Sequence, residues 1–358
     1  MVTSAWQGSG RSAPVFANFY RDKTVLITGA AGSVGSALSE ELARLGCGKL
    51  VLLDHFDHGL LDVMENASRI NPDLEVVDAL CDIRDPERLS HWMERLSPDV
   101  VIHAAALKHV HVGERHPGEC VLTNLIGVRN VLNAAVSAGA ADFLLVSSDK
   151  AAAPVCVMGA TKRLAELYLL GFQMERSPST RLRSVRFGNV LASQGSVIPR
   201  FRGQIAAGGP LTVTHPEMQR FFMSVQESVD LILSVTALDD ACAKHAGAYF
   251  MEMGEPVSIM DLGRRMIRES GREVEIKVTG LRDGEKIKEQ LCDEYESVSD
   301  SALPGVYRVE PLSPRAYVTS ADVARLETVA RSGEDGVVVR RVFAALDERL
   351  GRQEPAAG

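Results

Sequence analysis

From Lys23 onward, short apolar runs alternate with amphipathic stretches. The apolar runs fall at residues 24–28, 50–54, 76–80, 100–104, 143–147 and 184–187. Each has strand length and is nearly continuous in apolar residues, as in strands buried on both faces. Between them, residues 34–45 and 86–96 repeat apolar positions at helical spacing. The alternation predicts βαβ units, and so an α/β chain with a Rossmann-type doubly wound parallel sheet.

After about Gly188 the rhythm changes. Gly208-Gly209-Pro210 interrupts the chain, a helical stretch covers 225–237, and a strand at 248–253 ends in Gly254-Glu255-Pro256. Short strands then mix with helices at 259–270 and 337–350. This divides the chain into an irregular arm at 1–20, a dinucleotide-binding domain at 21–187 and a tail at 351–358. A smaller C-terminal substrate-binding lobe takes 188–220 and 257–350, with elements near 221–256 returning to the main sheet.

Thr28-Gly29-Ala30-Ala31-Gly32-Ser33-Val34-Gly35 links the first strand to the first helix. Glycines so spaced permit a tight turn, close backbone approach to a pyrophosphate, and close helix–strand packing. The N-terminus of the following helix offers free N–H groups to the phosphates. Gly29, Gly32, Ser33, Val34 and Gly35 are therefore candidate cofactor residues. Asp54, at the end of the second strand, is placed to accept from the ribose hydroxyls, which favours NAD over NADP. Asp82 and Ile83, after the third strand, would border the adenine.

Composition narrows the partners. The formal net charge is −8, which disfavours nucleic acid. Six scattered cysteines lack metal or disulfide spacing and read as reduced, mostly buried thiols. His103, His109 and His111 lack a matching set of acidic or thiol ligands, so no metal is expected. No run matches a membrane span or a cleaved signal, so a cytoplasmic protein is expected.

Four further segments carry candidate chemistry: His103-Ala104-Ala105-Ala106-Leu107-Lys108, Ser147-Ser148-Asp149-Lys150, Val157-Met158-Gly159-Ala160-Thr161-Lys162, and Arg186-Phe187-Gly188-Asn189 continuing through Val197-Ile198-Pro199. With the glycine turn, Arg220-Phe221-Phe222-Met223 and Leu281-Arg282-Asp283-Gly284-Glu285-Lys286, they closely resemble the bacterial polysaccharide-biosynthesis dehydratases. These are the inverting and non-inverting UDP-N-acetylglucosamine 4,6-dehydratases, extended short-chain dehydrogenases. The resemblance covers roughly residues 22 to 295; the sequence beyond is not distinctive.

The resemblance implies an NAD-dependent reaction on a nucleotide sugar: C4 oxidation, loss of water across C5 and C6, and hydride return to C6. It implies Asp149 as the acid toward O6 and Lys150 as the base at C5. Both then need shifted pKa values, because an exposed Asp is ionised and an exposed Lys protonated at neutral pH. Lys162 would bond the nicotinamide ribose, with Ala104, Ala105, Ala106 and Lys108 beside the cofactor. Lys108 and Glu114 would line the sugar site. Asn189, Arg220 and Arg282 would bind the diphosphate, Glu285 the uridine ribose, and Val197 and Ile198 the base.

Met158 occupies the position where most short-chain dehydrogenases carry a catalytic tyrosine, and a thioether cannot take a proton. Read alone it suggests an inactive protein or a core-filling residue. One branch of the resembled family, mostly membrane-anchored, also has Met here, and this chain resembles its catalytic portion. Asp149, or a water held by Ser148 and Lys162, is then the acceptor for the C4 hydroxyl proton. The His111-Val112-Gly113 stretch departs from the family's proline-containing version and leaves the exact sugar open. Competing readings are a C4 epimerase, a C5-inverting dehydratase and a non-catalytic NAD-binding protein. A homo-oligomer is expected, with helices around 121–136 and 161–170 as its bundle.

Overall fold

Strand β1 (Thr24–Thr28) is buried at four of its five residues, and so forms the middle of a sheet rather than an edge. The computed structural model describes residues 16–191, 193, 195–239 and 246–351. Most of the predicted arm, Cys242 and all of the tail except Gly351 lie outside the described residues.

Around β1 stand β2 (Lys49–Asp54), β3 (Val76–Leu80), β4 (Val100–His103), β5 (Asp142–Val146) and β6 (Arg181–Val185). They are joined by β7 (Gly247–Met251), β8 (Glu296–Asp300) and β9 (Val306–Pro311). Among the described residues these form a nine-stranded sheet in the order β3-β2-β1-β4-β5-β6-β7-β9-β8. The first seven run parallel; β9 pairs antiparallel with both β7 and β8. The order reverses between β1 and β4, the switch point where such sheets open a crevice at the carboxyl ends of their strands.

The helices are α1 (Ser33–Leu45), α2 (Asp57–Ile70), α3 (Pro86–Leu96), α4 (Pro117–Ser137) and α5 (Val157–Arg176), then α6 (Val197–Ala206), α7 (Val225–Ala237) and α8 (Ile259–Ser270). One apolar layer joins Leu38, Leu42, Leu60, Val229 and Ile232 from α1, α2 and α7. The opposite layer joins Leu89, Met93, Val131, Leu164 and Tyr168 from α3, α4 and α5. α4 is long and apolar enough by composition to cross a membrane, but 67% of its most apolar window is buried inside the protein.

The smaller lobe has its own core, in which Phe201 and Ile205 of α6 meet Leu211, Val213, Met218, Phe222, Ile259 and Leu262. Three two-stranded ribbons frame it: 189–190 with 222–223, 211–213 with 276–278, and 219–220 with 257–258.

Two expectations need correction. The lobe does not extend to residue 350, because β8 and β9 join the main sheet. Helices α9 (Ser320–Ala330) and α10 (Asp335–Leu350) then pack on α4 and α5, with Val323, Leu326, Val342 and Leu346 in the same core as Leu125, Leu164 and Tyr168. The apolar face of α4 and α5, expected to pair between subunits, is therefore covered by the chain's own C-terminal helices. An Arg129–Glu327 ion pair at 2.6 Å and the close approach of Gly118 to the Ala330 carbonyl fix that packing.

Candidate active site

A cleft of about 580 Å³ opens at the switch point between sheet and lobe. Its floor comes from the turn after β1, and the turn's sequence explains its shape. Gly29 has φ +70°, and a Cβ there would lie 2.6 Å from Ala105 of the loop after β4. A Cβ on Gly35 would lie 2.1 Å from the Gly29 carbonyl, so α1 packs directly on the turn. Gly32 caps α1 with no side-chain hydrogen bond, leaving the first N–H groups of the helix open at the cleft.

Asp54 sits at the end of β2 as expected. Its carboxylate accepts from the Ala31, His55 and Phe56 N–H groups at 2.8–3.1 Å and so ties β2 to the glycine turn. The loop after β4 is held by Asn124, from a widened π-turn of α4. The Asn124 amide accepts from the Leu107 N–H at 2.8 Å and donates to its carbonyl at 3.0 Å. Beneath this loop, His103 is fully buried with Nδ1 2.7 Å from Thr28 Oγ1.

Burial, with a smaller contribution from the charge on Lys162, holds the His103 pKa at about 3. Its folded value lies below its ordinary 6.5, so between those values the unfolded chain binds a proton that the folded chain does not. Stability therefore falls as pH drops through that window, at roughly 1.4 kcal/mol per pH unit from this group. Urea denaturation at pH 6.5 and pH 5 is expected to show that loss, and a His103→Gln variant to lack it.

The loop after β5 carries the central pair. Asp149 is fully buried, and its Oδ1 accepts from Ser148 Oγ at 2.9 Å and from Lys150 Nζ at 3.0 Å. Asp149 Oδ2 has no hydrogen-bond partner among the described residues. Lys150 reaches the cleft wall, where Glu289 Oε1 lies 3.5 Å from its Nζ. Burial pushes the Lys150 pKa down, but the carboxylates of Asp149 and Glu289 outweigh it and hold the value above that of an ordinary lysine. The shift runs opposite to the one a base needs, because Glu289, which no sequence motif pointed to, adds a second carboxylate beside Lys150.

Lys162, on α5, donates to the Val146 carbonyl at 2.9 Å, and burial lowers its pKa to about 8. Met158 is one helical turn before it, 2% exposed, and packed against Gly113 and Cys120. Both line the cleft with Ser148, Lys108, Ala104, Ala106, Asn189, Val197, Arg220 and Glu285.

Several expected residues do not line it. Glu114 accepts from the Val157 N–H at 2.7 Å and so steadies the start of α5. Ile83 packs in the core against Gly127, and Asp82 is held by Arg84 in an ion pair at 2.7 Å. Ile198 faces a separate groove between α6 and α8. Arg282 is exposed near the cleft, its N–H donating to Glu285 at 3.1 Å.

Sequence reasoning missed others. Arg200 lines the cleft, and burial and the charge of Arg282 lower its pKa. A buried ionic cluster behind the central pair was also missed. Arg186 bonds Glu166 at 2.6 and 2.9 Å and Glu296 at 2.7 and 2.9 Å, Arg163 bonds both carboxylates, and Ser147 donates to Glu166 at 2.6 Å. Burial raises the Glu166 pKa, but the two arginines and Ser147 outweigh it and bring it to about 2. Arg186 opened a quoted motif, but only folding brings Glu166 and Glu296 to it. The thiols at Cys47, Cys81, Cys120 and Cys156 are free and buried, and Cys292 is free and half-buried.

The profile of the polysaccharide biosynthesis protein family matches residues 25–311. The chain belongs to this family. Within it, the probable polysaccharide biosynthesis protein EpsC of Bacillus subtilis is 40% identical over 294 residues, which is 81% of this chain and 48% of EpsC. The chain thus spans about half the length of that relative. A UDP-glucose 4-epimerase of Rickettsia conorii is 36% identical over 80% of the chain and 83% of its own. Among solved structures, Pen from Bacillus thuringiensis is 30% identical with a TM-score of 0.75, over 88% of this chain and 99% of that one. The family member described here therefore has the extended short-chain dehydrogenase fold.

Proposed function

We propose that this chain is an NAD-dependent nucleotide-sugar 4,6-dehydratase, with UDP-N-acetylglucosamine as its substrate. The observation that carries the reading is the 3.0 Å contact between Asp149 Oδ1, buried behind the wall, and Nζ of Lys150, which lines the cleft that the glycine turn floors. An epimerase needs no acid and base for elimination, so this pair favours dehydration over the activity in the Rickettsia relative's name.

The residues present fit NAD. The glycine turn leaves no room for side chains where backbone approaches backbone, and α1 presents uncapped N–H groups beside it. Asp54, at the end of β2, would meet the adenine ribose, Ala104 and Ala106 give the cleft an apolar wall, and Lys162 would bond the nicotinamide ribose. NAD, when bound, supplies the acceptor for the C4 hydride and returns that hydride to C6.

The protein's own residues do the rest. Passing one proton from Lys150 to Asp149 across their contact turns an ammonium–carboxylate pair into an amine and a carboxylic acid. Those are the base that C5 requires and the acid that the departing O6 requires. A water on Ser148 and Lys162 relays the C4 hydroxyl proton to the neutral fraction of Lys162, a fraction that burial enlarges by lowering its pKa to about 8. Arg200, Arg220 and Arg282 bring fixed positive charge for a diphosphate.

Met158 then serves as packing. Met158→Leu conserves volume and is expected to keep turnover within about threefold, measured by steady-state kinetics. Loss of turnover with fold and substrate affinity intact would sink the water route.

The reading also proposes a homo-oligomer using a surface other than the α4–α5 face, and a cytoplasmic setting. It is tested by incubating the protein with UDP-N-acetylglucosamine in deuterium oxide and following mass and proton NMR. Loss of one water with deuterium at C5 is expected, and the C5 couplings report retention or inversion. Unchanged mass with inversion at C4 would replace this reading with the epimerase.

A further inference from the structure

Three cations converge on one buried carboxylate that the sequence gave no reason to single out. Glu289 belongs to the irregular stretch after Lys286, which runs from the small lobe to Leu291, whose carbonyl accepts from Arg186 at 2.9 Å. The Glu289 side chain is 3% exposed. Its Oε1 lies 3.5 Å from Lys150 Nζ and 3.8 Å from Arg220 Nε, and its Oε2 lies 4.0 Å from Lys286 Nζ. Oε2 has no hydrogen-bond partner among the described residues. Burying a carboxylate so sparsely bonded is costly, and only neighbouring positive charge offsets it. The cluster therefore keeps an anion against Lys150 at a structural cost.

We propose that Glu289 is a positioning residue, the fixed counter-ion that holds the Lys150 amino group against Asp149 and balances its charge through the reaction. The inference rests on Lys150 being the C5 base. Asp149 and Lys150 exchange charge during the reaction, both neutral before elimination and both charged after it, so Asp149 is not a fixed anion. When Lys150 takes the C5 proton, its amine gains N–H and positive charge while the C5–H electron pair moves toward C6 and O6 departs with the Asp149 proton. Glu289 is the anion facing Lys150 throughout that step. The other groups around Lys150 are Asp149 on its own loop, Arg220 on its short strand, Lys286 on the Glu289 segment, and Cys156 at the start of α5. Arg220 acts against the ammonium form and the two carboxylates favour it.

The test is competitive acetylation of the substrate-free protein by acetic anhydride at pH 8. Peptide mass spectrometry reads Lys150 against the exposed Lys277. Glu289→Gln is expected to raise relative labelling of Lys150 roughly tenfold, because losing the anion lowers the lysine's pKa and leaves more free amine at pH 8. Glu289→Asp, which keeps the charge, is expected to stay close to wild type. Equal labelling in wild type and Glu289→Gln overturns the inference. So does a labelling midpoint in wild type at or below that of Lys277, an arm that stands even where a variant fails to fold. Deuterium incorporation at C5 by the wild type separates the two readings. A labelling shift without incorporation sinks the dehydratase and leaves the counter-ion, whereas incorporation without a labelling shift does the reverse.

Discussion

Replacing Lys150 by methionine is expected to abolish deuterium incorporation at C5 while the reduction of NAD by the bound sugar continues. Methionine fills nearly the same volume but has no basic nitrogen, so the substitution removes the proton acceptor and leaves Glu289 with Arg220 and Lys286 as its remaining cations. A positioned general base contributes about a hundredfold to ten-thousandfold, and the loss should fall in that range. C4 oxidation relies on Ser148, Lys162 and the cofactor floor, none of which contacts Lys150 Nζ through a hydrogen bond. Reduced nicotinamide should therefore accumulate in a single-turnover experiment followed by absorbance. A Lys150→Met protein with full dehydration would remove the proposed mechanism. One that neither reduces NAD nor exchanges C5 would instead point to collapse of the Asp149 loop, which Ser148 and Asp149 brace from within.

The largest effect on stability is expected at Arg186. Its guanidinium is fully buried and forks between Glu166 and Glu296, each at two contacts of 2.6–2.9 Å. Arg186→Met leaves two buried carboxylates with Arg163 as their remaining arginine partner. Breaking such a cluster from one side costs about 3–5 kcal/mol, far more than an exposed pair returns. Urea denaturation at pH 7 measures it, and a loss under about 1 kcal/mol would mean that Arg163 and solvent compensate. The same cluster gives the protein an acid limit. The folded Glu166 pKa of about 2 lies below its ordinary 4.5, so its stabilisation is complete above 4.5 and is lost as pH falls toward 2. That window overlaps the lower part of the one set by His103, so loss of stability between pH 6.5 and 4.5 should be sensitive to His103→Gln and only below 4.5 should the Glu166 cluster add to it.

Much of this molecule was legible along the chain. β1, β3, α3, α7 and α8 fall at the predicted residues; β1 and the three helices bury apolar positions with the period their backbone dictates, whereas β3, at the sheet's edge, buries only Ala79. The glycine turn was legible for a similar reason, since Gly29 and Gly35 occupy places where a Cβ meets backbone atoms and no other residue fits. The adjacency of Asp149 and Lys150 was legible because it is covalent.

What the sequence could not carry depended on distance through the chain. β8, β9 and α9 looked undistinguished because their patterns are short, and α10, legible as a helix at 337–350, was assigned to the wrong unit; only contact with β7, α4 and α5 shows which core they complete. The residue numbers of Glu166, Arg186 and Glu296 span 130 positions, yet burial makes them one electrostatic unit. Glu289 lies 139 residues beyond Lys150, and sequence shows it as one more charge after Lys286. The sequence alone determined the parallel strands of the sheet, the glycine turn and the adjacency of Asp149 and Lys150, since local periodicity, backbone sterics and covalent adjacency suffice for those. Only the tertiary structure decided the charge on Lys150 and the covering of the α4–α5 face, because charge balance and burial are set by what folding brings near.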